Sequence, residues 1–241
     1  MSEYSAETLI KDCESFGLTL SEHQVQQFIR YYELLVEWNK VMNLTGITEF
    51  EEVLKKHFAD SLSIVKVADL NKVESCIDVG TGAGFPGIPL KIAFPHLKVT
   101  LLDSLNKRLK FLNEVIRELG LEQIETVHGR AEDAAKKPEY REQYDLGVTR
   151  AVARISTISE YCLPYVKTGG YFIPYKSGKM KEELEEGKKA VAILGGKIEK
   201  TEEFYLPETD MERSFVLIKK VKPTPKKYPR KAGTPAKEPI L

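Results

Sequence analysis

The sequence predicts an α/β protein with a seven-stranded, mostly parallel sheet, an antiparallel last strand and a helical cap at the N-terminus. Short apolar segments alternate with helical patterns from Val73 onward, which is typical of parallel strands joined by helices. The first strand runs into a glycine-dense turn. The last two strand segments, 197–206 and 213–221, follow one another without a helix, which predicts a closing hairpin.

Helical periodicity dominates residues 1–70, which we interpret as a cap on a sheet domain of residues 71–221. Ser21 and Gln24 have the spacing of a capping box, and the apolar pattern predicts a helix that ends near Met42. A second box, formed by Thr48 and Glu51, predicts the start of another helix. The apolar stripe of that helix comprises Val53, Leu54, Phe58, Leu62 and Val65.

The stretch Ser75–Pro89 is the strongest site signal in the chain, because it joins an apolar strand to three alternating glycines. Gly80, Gly82 and Gly84 lack a Cβ and allow the backbone to approach a ligand. The unpaired N–H groups at the start of the following helix would face a ligand that accepts hydrogen bonds. We therefore interpret the turn as a cofactor-binding loop.

Two readings of this turn predict different cofactors. Residues 82–87 fit the dinucleotide fingerprint G-x-G-x-x-G, with Asp103 near the position of a ribose-binding acid. Residues 78–84 fit D-x-G-x-G-x-G and resemble the loop that binds S-adenosylmethionine (SAM) in Rossmann-like methyltransferases. Asp78 favours SAM, because its carboxylate suits an ammonium and a sulfonium but would repel a pyrophosphate near ~4 Å by at least ~1 kcal/mol even in water. A glycine turn without a ligand is the third alternative.

Two later strand ends supply further candidates for cofactor binding. The strand over 99–103 ends in Asp103, whose carboxylate can accept hydrogen bonds from both ribose hydroxyls; a helix-capping aspartate is the alternative. A helix is predicted over 105–119. The short strand over 124–128 leads into residues 129–133, whose backbone and acid suit the edge of an adenine.

The strand over 144–149 places Arg150 and Ala151 at the carboxyl edge of the sheet, where ligands bind in open α/β folds. Arg150 and Arg154 are therefore predicted to lie near the transferred group. A fifth strand over 171–175 and a charged amphipathic helix over 180–194 complete the pattern before the closing hairpin.

Positive charge is concentrated at the C-terminus although the net charge is zero. Residues 219–241 contain eight lysines and arginines and one acid. Pro223, Pro225, Pro229 and Pro235 exclude a helix or central strand, so the basic tail of residues 222–241 is predicted to be extended or ordered only on a partner. A basic arm with an aromatic residue for stacking suits RNA; a merely solvated tail is the alternative. The candidate RNA-binding residues are Lys226, Lys227, Tyr228, Arg230 and Lys231.

The remaining composition argues against disulfides, metals and membranes. Three cysteines are far apart and form no C-x-x-C pair, which predicts reduced, buried thiols. Four histidines lack ligand spacing, so no metal is predicted. The polar, acidic N-terminus is unlike a signal peptide and no long apolar run occurs, which predicts a cytoplasmic protein without membrane contact.

These motifs together resemble the RsmG (GidB) family along almost the whole chain. They are D-V-G-T-G-A-G-F-P-G at 78–87, L-D-S at 102–104, R-A-E at 130–132, T-R-A at 149–151, W-N at 38–39, N-L-T at 43–45, H-F-A-D-S at 57–61 and K-K-Y-P-R at 226–230. The resemblance implies a Rossmann-like class I SAM methyltransferase fold. It also implies a bacterial enzyme that methylates N7 of a guanine in the 530 loop of 16S ribosomal RNA, in the 30S subunit.

The resemblance further implies a set of cofactor contacts. With the glycine turn included, the predicted SAM-binding residues are Asp78, Gly80, Gly82, Gly84, Phe85, Asp103, Ser104, Ala131, Glu132 and Arg150. Spacing alone favours a structural role for His57, Asp60 and Ser61. The resemblance implies that these residues matter more to the site than their spacing suggests. No obligate protein partner is evident, and a monomer is predicted.

The implied reaction needs no general base. Guanine N7 has an in-plane lone pair and no proton, so it can attack the SAM methyl directly. Correct orientation of the reacting atoms can lower the activation barrier by up to ~7–11 kcal/mol. We therefore assign no single catalytic residue and name Arg150, Arg154, His57 and Asp60 as candidates. A methyltransferase for another RNA or base, an NAD-dependent oxidoreductase and a non-catalytic RNA-binding protein are the alternatives.

Overall fold

The N-terminal part of the chain is helical, as the periodicity predicts. The structure is a computed structural model that describes residues 4–150, 153–178 and 180–241. The α-helices before the sheet are α1 (Glu7–Ser15), α2 (Glu22–Met42), α3 (Phe50–Val53) and α4 (Asp60–Leu62), with a π-helical segment (Leu54–Ala59) between α3 and α4 and 3₁₀ turns at Ser63–Lys66 and Leu70–Lys72.

One of the two predicted capping boxes is present. Ser21 N donates to Gln24 Oε1 at 2.8 Å and Gln24 N donates to Ser21 Oγ at 3.3 Å, which confirms the box at the start of α2. The predicted start of the second helix at Thr48 is wrong. Glu49 is the N-cap of α3, and its longer side chain reaches Glu52 N at 2.8 Å.

The second helix is also divided, whereas the apolar stripe predicts a continuous one. The π-helical segment separates α3 from α4, and a 3₁₀ turn follows. Leu54, Phe58 and Leu62 are nevertheless all fully buried, so the apolar pattern cannot distinguish the divided helix from a regular one. Short π-helical segments occur frequently at functional sites, and this one carries His57.

Seven strands form one sheet, as predicted. They are β1 (Ser75–Val79), β2 (Lys98–Asp103), β3 (Ile124–His128), β4 (Tyr144–Thr149), β5 (Val166–Lys176), β6 (Gly196–Tyr205) and β7 (Glu212–Lys220), in the order β3-β2-β1-β4-β5-β7-β6. The pairs from β3 to β5 are parallel, and β7 lies antiparallel between β5 and β6. The predicted hairpin and antiparallel last strand are confirmed.

Helices cover both faces of the sheet. On one face α5 (Gly87–Ala93) and α6 (Asn106–Glu118) share a hydrophobic core with the N-terminal helices. On the other, α7 (Ala131–Ala134), α8 (Ile155–Cys162) and α9 (Lys181–Ile193) form a second core. Within β1, Cys76 belongs to the first core and Ile77 to the second, as the alternation of side chains along a strand requires.

The C-terminal strap, which we define as residues 222–241, folds back onto the second core and ends with a short helix α10 (Thr234–Lys237). The prediction of an extended or partner-ordered tail is therefore wrong. Thr224, Tyr228 and Pro235 are buried. Pro235 lies in the first turn of α10, where proline is tolerated, so the prolines prevent neither this short helix nor burial. The groups that hold the strap lie far away in the sequence.

The free thiols agree with the cysteine spacing: Cys13, Cys76 and Cys162 are all unpaired and buried. No helix among residues 4–150, 153–178 and 180–241 is long and apolar enough to cross a bilayer. Within the same ranges, the His, Cys, Asp and Glu side chains form no cluster of three suited to a metal ion.

Candidate active site

The turn after β1 places three glycines in the left-handed region, with φ of 74° at Gly80, 61° at Gly82 and 98° at Gly84. A Cβ at Gly80 or Gly82 would meet no heavy atom of the described residues within 4 Å, so both positions border open space. A Cβ at Gly84 would lie 2.6 Å from the Tyr31 hydroxyl and 2.7 Å from Ile88. Gly84 therefore allows α2 to pack against the loop.

Asp78 lies beneath this turn and is fully buried. Its Oδ2 accepts hydrogen bonds from Thr81 Oγ1 at 2.6 Å and Gly87 N at 2.9 Å, so it joins the two ends of the loop. Its Oδ1 is buried and has no hydrogen-bond partner among the described residues. Burial raises the pKa of this carboxyl to about 6. The site therefore contains an acceptor that still lacks a donor.

Asp103, at the end of β2, connects this loop to the next one. Its Oδ2 accepts from Gly82 N at 2.9 Å and from Arg108 Nη1 at 3.2 Å, while Oδ1 accepts from Leu105 N at 2.8 Å. A carboxylate can accept about four hydrogen bonds, and three are used here. Asp103 is thus a buried bridge between the loops after β1 and β2, and it does not cap the next helix, whose N-cap is Leu105.

Arg150, at the end of β4, connects the sheet edge to the helical cap. Its Nη1 donates to Asp60 Oδ2 at 3.0 Å and its Nη2 to His57 Nδ1 at 3.3 Å. The guanidinium lies over the Phe85 ring, with Cζ 5.2 Å from the ring centroid. One side chain therefore holds the π-helical segment, α4 and the glycine loop together. Three of the predicted candidates, Arg150, His57 and Asp60, meet at this point.

Both ring nitrogens of His57 are engaged. A guanidinium cannot accept a hydrogen bond, so Nδ1 accepts from Arg150 and the ring proton lies on Nε2, 2.8 Å from Thr45 Oγ1. The ring stacks on Phe85, with centroids 4.5 Å apart and planes 19° from parallel. Burial, reinforced by the positive charge of Arg150, lowers the pKa of His57 to about 4. The imidazole is therefore neutral at neutral pH.

Asp60 is shared by two arginines, and the second was not identified from the sequence. Arg213, at the start of β7, donates from Nε to Asp60 Oδ1 at 2.8 Å. No sequence motif marks Arg213, because it meets Asp60 only when β7 enters the sheet beside β5. A cavity of about 480 Å³ opens here; its lining is Asp60, Arg150, Tyr175, Lys176, Ser177, Glu183 and Arg213.

Comparison with known proteins identifies the family. Residues 24–212 match the family described as GidB, rRNA small subunit methyltransferase G. The chain belongs to the GidB family. It is 58% identical to the ribosomal RNA small subunit methyltransferase G of Lachnoclostridium phytofermentans, over 97% of each chain. It is 54% identical to the enzyme of that name from Alkaliphilus metalliredigens, over 96% of this chain and 98% of the relative.

Solved structures agree on the fold. The Methanococcus jannaschii fibrillarin pre-rRNA processing protein aligns with a TM-score of 0.53 at 17% identity, over 68% of this chain and 74% of that chain. A putative transferase from Pyrococcus horikoshii aligns with a TM-score of 0.51 at 17% identity, over 84% of this chain and 66% of that chain. With GidB membership, the class I SAM methyltransferase fold and SAM as cofactor are confirmed.

The other cofactor candidates of this GidB protein lie at the ends of β2 and β3. Ser104 is exposed, and its carbonyl lies 3.2 Å from His128 Nε2. Ala131 O accepts from Tyr165 Oη at 2.6 Å. Glu132 is buried, and its Oε1 accepts from Gly233 N of the C-terminal strap at 2.7 Å. The contact between Glu132 and the strap was not predicted.

Arg154 and Ser61 have less central positions. Arg154 is 63% exposed and lies 3.6 Å from Glu186, away from the contacts that join Arg150 to the cap. Ser61 is buried, and its Oγ donates to His57 O at 2.5 Å, so it supports the backbone of the π-helical segment. Ala151, predicted beside Arg150, lies outside the described residues.

The strap divides the predicted RNA-binding residues of this GidB protein into two groups. Lys226, Lys227 and Lys231 are exposed. Tyr228 is only 9% exposed and packs in the second core, so its ring cannot stack on an RNA base while the strap is docked. Arg230 is paired with Glu160. The stacking role predicted for Tyr228 is therefore wrong, because its ring anchors the strap.

We expect protonation of His57 to oppose folding in acid. The folded-state pKa of about 4 lies below the ordinary value of 6.5, so the stability from the neutral ring is complete above pH 6.5 and lost as the pH falls towards 4. Relative to the His57→Gln variant, the native protein should lose about 3 kcal/mol of unfolding free energy between pH 7 and pH 4. Urea unfolding of both proteins measures this.

Comparing the native protein with His57→Gln also removes the titration of a second group. Asp78, whose pKa is raised to about 6, favours folding as the pH falls below that value, but it does so in both proteins and cancels in the difference. Parallel stability profiles for the native and His57→Gln proteins would show that His57 titrates normally in the folded state.

Proposed function

We propose that this protein transfers the methyl group of SAM to N7 of a guanine in the 530 loop of 16S ribosomal RNA, acting as a cytoplasmic monomer on the 30S subunit. The carrying observation is that both proton acceptors beside Arg150 are occupied: His57 by Arg150 and Thr45, Asp60 by Arg150 and Arg213. Guanine N7 suits such a site because it carries no proton. The names of the relatives support small-subunit ribosomal RNA as the substrate.

The residues of the glycine loop fit SAM. Gly80 and Gly82 border open space, so the protein backbone there could contact SAM. The unpaired Oδ1 of Asp78 would accept a hydrogen bond from the ammonium group at the methionine end of SAM. Asp103 has one acceptor position left for a ribose hydroxyl. Phe85 would flank the sulfonium end, and Ala131 with Glu132 the adenine. SAM supplies an electrophilic methyl group on sulfur.

The strand order supports separate positions for the cofactor and the methyl acceptor. The glycine loop, Asp103 and Glu132 follow β1, β2 and β3, which form one half of the sheet. The 480 Å³ cavity lies on the other side of Arg150, where Lys176 ends β5 and Arg213 is the second residue of β7. Its volume is within the range of small-molecule pockets, and its cations suit the O6 edge or phosphate of one guanine nucleotide.

Within this arrangement the protein acts by orientation. Arg150 fixes the boundary between the two halves, because its contacts to Asp60, His57 and Phe85 leave it little freedom. The neutral His57 ring excludes water from one face of Phe85 and adds no positive charge beside the sulfonium. The exposed lysines of the strap would contact RNA phosphates.

The decisive experiment is methyl transfer from labelled SAM to 30S subunits and to naked 16S RNA, both from cells that lack the gene. We expect label at N7 of one guanine in the 530 loop, located by cleavage chemistry specific for N7-methylguanine. Label in another base or RNA would show that the proposed substrate is wrong but that the protein is a methyltransferase. SAM binding without transfer to either substrate would contradict the proposed function.

A second prediction tests the cofactor contacts. We expect Asp103→Ala to weaken SAM binding at least tenfold, about the loss of one charged hydrogen bond. Titration calorimetry measures the affinity, and Arg108→Ala is the control, because it removes the half-buried partner of Asp103 but leaves the carboxylate. Unchanged affinity in Asp103→Ala would remove its proposed ribose contact.

A further inference from the structure

The C-terminal strap is held at two buried carboxylates, one of which belongs to the predicted cofactor site. Glu160 of α8 is fully buried and binds Arg230; Glu132 of α7 is buried and binds Gly233. Arg141 adds bonds to the carbonyls of Thr224 at 2.9 Å and Tyr228 at 3.0 Å. The strap is therefore fixed along its length.

The Arg230 anchor is the stronger of the two. Its Nε and Nη2 form a fork on Glu160, with Nε 3.0 Å from Oε1 and Nη2 2.7 Å from Oε2, and its backbone N donates to Oε1 at 2.8 Å. Bidentate pairs of this kind fix orientation as well as distance. Arg230 thereby sets the position of the next few residues, up to Gly233.

Gly233 makes the contact with the cofactor site. Its φ of 86° lies in the left-handed region, which turns its N–H towards Glu132 Oε1 at 2.7 Å. A Cβ at this position would meet no heavy atom of the described residues within 4 Å, so glycine is needed there for its backbone conformation and not for space.

The turn that receives this contact is short and has no side-chain cap within the described residues. Helix α7 spans only four residues, and its N-cap Arg130 makes no side-chain capping bond to the described part of the chain. Tyr165 Oη holds Ala131 O from one side, and Gly233 N holds Glu132 from the other. Both supports come from the C-terminal half of the chain.

We propose that the C-terminal strap positions the cofactor site: Arg230, held by Glu160, places Gly233 on Glu132 and so fixes the Ala131–Glu132 turn for SAM binding. Arg230, Glu160 and Gly233 are positioning residues that act through Glu132. Lys226, Lys227 and Lys231 are exposed. The docked strap therefore carries the candidate RNA contacts on its outer side and supports the cofactor turn on its inner side. This inference rests on the cofactor assignment of the proposed function.

The test compares valine substitutions at two glycines whose φ lies in the left-handed region. Valine is strongly disfavoured in the left-handed region, so Gly233→Val should displace the N–H from Glu132. Gly120→Val is the matched control: Gly120 has a φ of 60°, also with no heavy atom of the described residues near its Cβ. It lies between α6 and the amino end of β3, whereas Glu132 follows the carboxyl end of β3. Both variants should lose similar stability.

Three measurements on the full-length proteins follow. Calorimetry should show SAM binding about tenfold weaker in Gly233→Val, the equivalent of one hydrogen bond, and unchanged within twofold in Gly120→Val. Hydrogen exchange without SAM should show lost protection in residues 130–136 of Gly233→Val only. In methyl transfer, KM for SAM should rise about tenfold in Gly233→Val while kcat stays within threefold.

A conservative pair completes the design. Glu132→Gln keeps an acceptor for Gly233 N and should keep the strap protected from exchange, whereas Glu132→Ala should release it. Unchanged SAM affinity or unchanged exchange in Gly233→Val overturns the proposal, and so does equal weakening in Gly120→Val. SAM binding is measured without RNA, so failure of the rRNA substrate leaves this test intact.

Discussion

Replacing Arg230 by alanine should lower the free energy of unfolding by about 3–5 kcal/mol, the cost of leaving a buried charge unpaired. Glu160 is fully buried, and the Arg230 fork together with the Arg230 backbone N forms its bonds in the docked strap. Removing the guanidinium leaves the carboxylate buried with only the backbone donor. The expected loss is the cost of the unpaired buried carboxylate and not the net contribution of the ion pair.

Urea unfolding of Arg230→Ala measures this effect. Lys231→Ala is the matched control, because the neighbouring side chain is exposed and its removal should change stability by no more than about 0.5 kcal/mol. A loss below about 1 kcal/mol in Arg230→Ala would mean that Glu160 is not an uncompensated buried charge without its partner.

Arg150→Lys should lower kcat/KM for methyl transfer at least about 100-fold, the loss that a displacement of about 1 Å can cause. The two terminal nitrogens of Arg150 donate to Asp60 and His57 while the guanidinium plane lies over Phe85. A lysine ammonium has neither the fork nor the plane. Because lysine keeps the positive charge, the loss of kcat/KM measures the contribution of the guanidinium geometry.

Single-turnover methyl transfer to 30S subunits, with calorimetry of SAM binding, separates chemistry from cofactor affinity. Arg117→Lys, an exposed arginine paired with Glu114 near the end of α6, is the control and should retain activity within twofold. Activity of Arg150→Lys within fivefold of the native protein would show that charge alone suffices at this position.

Features set by neighbouring residues were predictable from the sequence. The box of Ser21 and Gln24 is a contact over three residues, and the ends of β2 and β4 follow from apolar segments that stop at a polar residue. Asp103 and Arg150 were found for this reason, since parallel strands end at one edge of a sheet.

Features that depend on distant residues were not predictable. Arg213 reaches Asp60 across 153 positions, and Arg230 reaches Glu160 across 70. Proline content wrongly excluded a helix in the strap, where α10 has Pro235 in its first turn. It also carries no information about the buried acids that hold the strap. The π-helical segment was hidden because the apolar stripe is the same with or without it.

Tyr31 connects the helical cap to the glycine loop of the sheet domain. Tyr31 Oη donates to Ala83 O at 2.5 Å, and Gly84 has no side chain at the place where that hydroxyl lies. The cap thus supplies part of the wall of the loop it covers. A chimera that joins this sheet domain to the cap of a relative must therefore transplant Tyr31 and Gly84 as a pair, since either alone leaves a void or a clash.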